Sequence, residues 1–131
     1  MAEKAKILII DDEEYICHLI KLILEKTNKF KVLISTTGQE GIELSKTNKP
    51  DLILLDILMP GMSGTAVAER LLEDTSTKDI PIVFLTGVVT KQDVEASKGM
   101  IGGRNFIAKP VTPEEVISAI RSVLQREFWD I

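Results

Sequence analysis

Five short apolar runs punctuate the chain, at residues 5–10 (AKILII), 30–34 (FKVLI), 51–55 (DLILL), 80–85 (IPIVFL) and 104–108 (RNFIA). Leu52 to Leu55 is unbroken by any polar residue, the pattern of a strand buried on both faces. Between the runs the spacing turns helical. Residues 13–26 place Ile16, Leu19, Ile20, Ile23 and Leu24 at helical intervals. Residues 38–47 predict a shorter helix with Ile42 and Leu44 apolar and Thr37-x-x-Glu40 as a capping box. Residues 64–73 offer Ala68, Leu71 and Leu72. The last helix has the clearest start, with Thr112 as cap, Pro113 in the first turn and Glu115 closing a capping box, and is expected to run to about Phe128. The stretch 88–100 is weaker: Val94 and Met100 are its apolar anchors, while Ser97, Gly99, Gly102 and Gly103 loosen it. A loose fourth helix is expected there.

Alternating strands and helices in this number predict an α/β fold, (βα)5, doubly wound: a five-stranded parallel sheet between two helical layers, a three-layer sandwich. Function in such sheets gathers outside the carboxyl ends of the strands. Those ends carry Asp11-Asp12, Asp56, Thr86-Gly87 and Lys109-Pro110. In a strand order 2-1-3-4-5 they crowd along one edge, so three carboxylates, a hydroxyl and an ammonium share a pocket. Each has a plainer reading: Asp11 or Asp12 as a helix cap, Thr86 as a loop hydroxyl, Lys109 as a solvated charge. Asp56 is hardest to dismiss, because an acid closing a buried run is costly without a partner. Two carboxylates about 5 Å apart repel by roughly 3 kcal/mol at an effective dielectric of 20. One lysine cannot neutralise three. A divalent hard cation can, and oxygen ligands with retained waters suit Mg²⁺. A metal beside one carboxylate with Lys109 and Thr86 opposite describes a phosphoryl site, with Asp56 as the nucleophile that forms an acyl phosphate.

Composition narrows the setting. The 131 residues make one domain, 1–131, long enough to bury a core. A net charge of −4 gives no basic field for nucleic acid or anionic lipid. The N-terminus resembles neither a signal peptide nor a membrane span. The lone Cys17 excludes an internal disulfide and fits a reducing cytoplasm. Cys17 and the sole histidine, His18, are read as packing or surface residues rather than a metal site.

With these residues in place, the chain resembles the receiver domain of two-component response regulators over roughly Lys6 to Arg126, the flavodoxin-like order 2-1-3-4-5. The resemblance rests on Ile9-Ile10-Asp11-Asp12-Glu13, on Leu54-Leu55-Asp56-Ile57-Leu58-Met59-Pro60 followed by Gly64, on Leu85-Thr86-Gly87, and on Phe106-Ile107-Ala108-Lys109-Pro110. It implies Asp56 as phosphoacceptor, Asp11 and Asp12 as the Mg²⁺-binding pair, a backbone carbonyl from Leu58 on the metal, and Lys109 on the phosphoryl oxygens. The Lys109–Pro110 bond is a candidate cis peptide. Thr86 and Phe106 match the family's switch pair, which remodels the face built by the loose helix, the strand at 104–108 and the last helix. The phosphoryl donor would be a histidine kinase or histidine phosphotransfer protein. The output would be a downstream protein partner or a fused output domain, with a phosphorylation-dependent dimer possible and no turnover of external substrate. Leu58 and Val88 stand where the family often has polar residues flanking the attacking water, so slow dephosphorylation is expected.

Rival readings are a phosphorelay intermediate without an output role and a haloacid-dehalogenase-type phosphatase. The latter requires an acid two residues after its nucleophile, where this chain has Leu58. Ser35-Thr-Thr-Gly-Gln-Glu40 looks like a flavin phosphate loop but follows the second strand rather than the first, and is read as a turn with a helix cap. Phe128 and Trp129 fit equally a packing role and a partner surface. The chain stops about where a linker to a further domain would begin.

Overall fold

The computed structural model describes residues 4–87, 92, 100–101 and 104–124. The strands are β1 (Ala5–Ile10), β2 (Phe30–Ser35), β3 (Leu52–Asp56), β4 (Ile82–Thr86), β5 (Met100–Ile101) and β6 (Arg104–Ala108). The helices are α1 (Glu14–Glu25), α2 (Gly38–Asn48), α3 (Gly64–Glu73) and α4 (Pro113–Leu124). Most of the expected helix over 88–100 lies outside the described residues, as do Val88, the chain beyond Leu124, Phe128 and Trp129.

The sheet order is β2-β1-β3-β4-β6-β5. The five principal strands pair in parallel in the expected 2-1-3-4-5 order, β6 being the fifth. The sequence reading missed β5. Met100, expected to anchor a helix, instead pairs antiparallel with Asn105, and Ile101 with Arg104.

Strand parity divides the core in two. Ile7, Ile9, Leu52, Leu54, Val83, Leu85 and Ile107 face α1 and α4, packing against Cys17, Ile20, Leu24, Val116 and Ile120. Leu8, Ile10, Ile53, Leu55 and Phe84 face α2 and α3, packing against Ile42, Val67, Ala68 and Leu71. Burial on both faces explains why the central runs carry no polar alternation.

The helix caps follow the sequence. Thr37 accepts from the Glu40 N–H. Thr112 and Glu115 form a reciprocal capping box, each side chain accepting from the other's N–H. In α3 the buried face is Gly64, Val67, Ala68 and Leu71, whereas Leu72, expected inside, is exposed. The i, i+3, i+4, i+7 stripe selects Val67 over Leu72. Gly64 has a strict reason to be glycine: a Cβ there would lie 2.1 Å from the Asp56 carbonyl oxygen. Its N–H donates to the Ile57 carbonyl at 2.8 Å, closing the 57–64 loop beneath the site. Gly61 turns that loop with φ +82°, a conformation that favours glycine.

Candidate functional site

The parallel register carries four chain segments to one end of the sheet. Asp11 directly follows β1, and its N–H donates to the Ser35 carbonyl at 3.1 Å. Asp56 is the last residue of β3 and is 4% exposed. Lys109 follows β6, its N–H donating to the Thr86 carbonyl at 2.8 Å, and the Lys109–Pro110 bond is cis. Asp11 and Asp56 continue the parity of Ile9 and Leu54, and Lys109 that of Ile107, so all three belong to the α1 side of the sheet.

The Lys109 ammonium sits among three carboxylates. It lies 2.9 Å from Asp11 Oδ2, 2.9 Å from Glu13 Oε1 and 3.4 Å from Asp56 Oδ1. Asp11, Asp12 and Asp56 each present a carboxylate oxygen within 4.8 Å of the others. Neither member of the acidic pair caps α1. Its N-cap is Glu13, whose side chain makes no cap hydrogen bond and accepts from the Lys109 ammonium instead. The Glu13 N–H in turn donates to Asp11 Oδ1 at 3.0 Å, which leaves Oδ2 turned to the pocket.

This crowding perturbs the charges. Burial, then the Asp11 charge, pushes the Asp56 carboxyl up to about 6, with Lys109 opposing. Burial alone would draw the Lys109 ammonium down. Hydrogen bonding to Asp11 and Glu13, with the charges of Asp11 and Asp56, outweighs it and raises the ammonium above its usual range. Cys17 sits beneath, its Sγ donating to the Asp11 carbonyl at 3.2 Å. Burial and the Asp11 charge push that thiol up to about 12, so it stays protonated and inert. His18 is exposed.

The donor set fits a hard divalent cation. It is all oxygen, it carries more negative charge than one ammonium offsets, and Asp11 Oδ2 is buried with no hydrogen-bond partner. Lys109 meets that oxygen at 2.9 Å and offsets one charge, which leaves the set net negative.

Thr86 is buried at the end of β4, adjacent to Lys109 through its carbonyl, but its parity is that of Phe84, toward α3. Phe106 is half-buried on that same side, its ring stacked on Phe84 at 5.3 Å and 27°. A cleft of about 290 Å³ lies beside the pair, lined by Ile57, Thr65, Glu69, Phe84, Arg104 and Phe106. Leu58, two residues beyond Asp56, is 64% exposed. Sequence reasoning assigned no role to Glu13. Its place one residue beyond the acidic pair, at the mouth of α1, is the signal that could have found it.

Comparison with known proteins shows the family. The family model described as the response regulator receiver domain matches residues 7–121. The transcriptional regulatory protein YvrH of Bacillus subtilis is 39% identical over 126 residues, covering 96% of this chain and 52% of YvrH. Protein PilH of Pseudomonas aeruginosa is 35% identical over 123 residues, covering 92% of this chain and 98% of PilH. The chain thus spans about half the length of the first relative and nearly all of the second. Among solved structures, the Vibrio cholerae chemotaxis protein CheY4 superposes with a TM-score of 0.79 at 25% identity, over 92% of this chain and 99% of CheY4.

Proposed function

The chain belongs to the response regulator receiver domain family, and from that premise we propose that it accepts a phosphoryl group on Asp56. The donor in this reading is a phosphohistidine on a histidine kinase or phosphotransfer protein. The observation that carries it is the meeting of carboxylate oxygens from Asp11, Asp12 and Asp56 within 4.8 Å of one another, with Lys109 in ionic range of Asp56.

An Asp56 carboxylate oxygen attacks phosphorus in line. The P–N bond of the donor breaks, the imidazole leaves with its electron pair, and Asp56 becomes an acyl phosphate. Lys109, in ionic range of Asp56, moves to the phosphoryl oxygens and offsets their charge. Asp11, Asp12 and Asp56, with the Leu58 carbonyl as a further oxygen, are suited to hold Mg²⁺, which supplies neutralisation of the transferring group. Burial raises the Asp56 carboxyl, which makes its carboxylate the stronger nucleophile once ionised. Leu58 offers no donor to orient water, which supports a long-lived product.

Thr86 and Phe106 form the readout pair in this reading. The Thr86 hydroxyl turns toward the new charge, and Phe106 moves into the adjoining cleft, changing the surface around β6. That change would alter affinity for a partner protein, a second copy of the chain or a fused output domain. The described residues include no helix long and apolar enough to cross a membrane, and a cytoplasmic setting is part of the proposal.

The test is transfer from a labelled phosphodonor in Mg²⁺. The parent should acquire hydroxylamine-labile label, and Asp56→Asn should acquire none while keeping its circular dichroism spectrum. Label retained by Asp56→Asn would reject the assignment.

A further inference from the structure

Resting on the phosphoacceptor reading, we propose that Glu13 is a positioning residue: its carboxylate holds Lys109 back from Asp56 until a phosphoryl group arrives. The distances carry it. Lys109 is drawn to 2.9 Å from Glu13 and Asp11 but stands 3.4 Å from Asp56, the residue it must serve. Glu13 occupies the α1 N-cap, where a carboxylate would ordinarily bond the backbone of the first turn, yet it makes no such bond and turns to the lysine. The contact spans 96 residues of sequence, so it is a product of the fold rather than of local chain geometry. Glu13 fixes Asp11 through its backbone N–H, which substitution of the side chain leaves in place.

Two effects of opposite sign follow. The Glu13 charge adds to the attraction for a cation at Asp11, Asp12 and Asp56. The same carboxylate competes with a bound phosphoryl group for Lys109. Removing the charge weakens the first and relieves the second. Glu13 is more than half exposed, so the pair contributes little to fold stability, and its effect appears in ligand binding.

Titration calorimetry with Mg²⁺, and with fluoroberyllate at saturating Mg²⁺, tests this on the parent, Glu13→Gln and Glu13→Asp. Glu13→Gln should bind Mg²⁺ about three- to tenfold more weakly and fluoroberyllate about two- to fivefold more tightly. Glu13→Asp keeps the charge but loses reach, so it should bind Mg²⁺ like the parent and fluoroberyllate like Glu13→Gln. Both affinities falling together in Glu13→Gln, or no tightening toward fluoroberyllate, overturns the positioning role. Tightening in Glu13→Gln that Glu13→Asp does not share assigns the effect to charge alone and overturns the contact. A parent chain that binds no fluoroberyllate at all rejects the phosphoacceptor reading instead.

Discussion

At the scale of single residues, Asp56 sets the terms. Its carboxyl is raised from an ordinary 3.8 to about 6 by burial and by Asp11. Between those two values the folded chain retains a proton that the unfolded chain has released. The stability this group contributes is therefore full below about pH 4 and lost as pH rises through about 6. Asparagine cannot ionise, so Asp56→Asn should be the more stable protein at pH 7, by on the order of 2–3 kcal/mol in chelator. The advantage should shrink toward pH 4. Denaturant unfolding of both proteins at the two pH values measures this, and equal stabilities at pH 7 would contradict it. That Asp11, Asp12, Asp56 and Lys109 gather at one sheet end was legible from their places after the apolar runs. Where each side chain points was not. Glu13 has the sequence appearance of an ordinary first-turn acid, and only the late arrival of Lys109 gives it a partner.

At the scale of elements, the site depends on how closely α3 approaches the end of β3. Gly64 begins α3 against the Asp56 carbonyl, at a distance no Cβ tolerates, and the obstacle is backbone rather than a movable side chain. Gly64→Ala should destabilise the fold by about 3 kcal/mol or more and weaken Mg²⁺ binding, because the 57–64 loop must shift with it. Unfolding and metal titration of that variant check both, and a near-native unfolding midpoint would show that the loop yields freely. The principal elements could be read from the sequence because caps and runs agree, as at Thr112 and Glu115. Leu72 was misplaced because it adjoins a buried stripe at an angle that periodicity alone does not resolve. β5 escaped notice for a different reason: two residues are too few to show any period, and its existence depends on pairing with β6.

For the molecule as a whole, the acids at one sheet end are a standing repulsion that the fold tolerates. A cation binding only the folded state should raise stability by about 2.7 kcal/mol at a hundred times its dissociation constant. Mg²⁺ should therefore raise the unfolding midpoint of the parent, and Asp11→Asn should lose most of that response. Thermal scans with and without metal decide the matter, and an equal response in the variant would place the cation elsewhere.

The alternation that splits the core also sorts the site. Asp11, Asp56 and Lys109 share the α1 side, whereas Phe84 and Phe106 stack on the other. Under the proposed function, the sheet works as a party wall between chemistry and message. Substitutions around α1 can retune which donor is recognised while the aromatic pair keeps its listener, and the reverse holds equally. Two specificities can drift apart in one small domain, with Thr86 and Lys109 meeting where the Lys109 N–H donates to the Thr86 carbonyl.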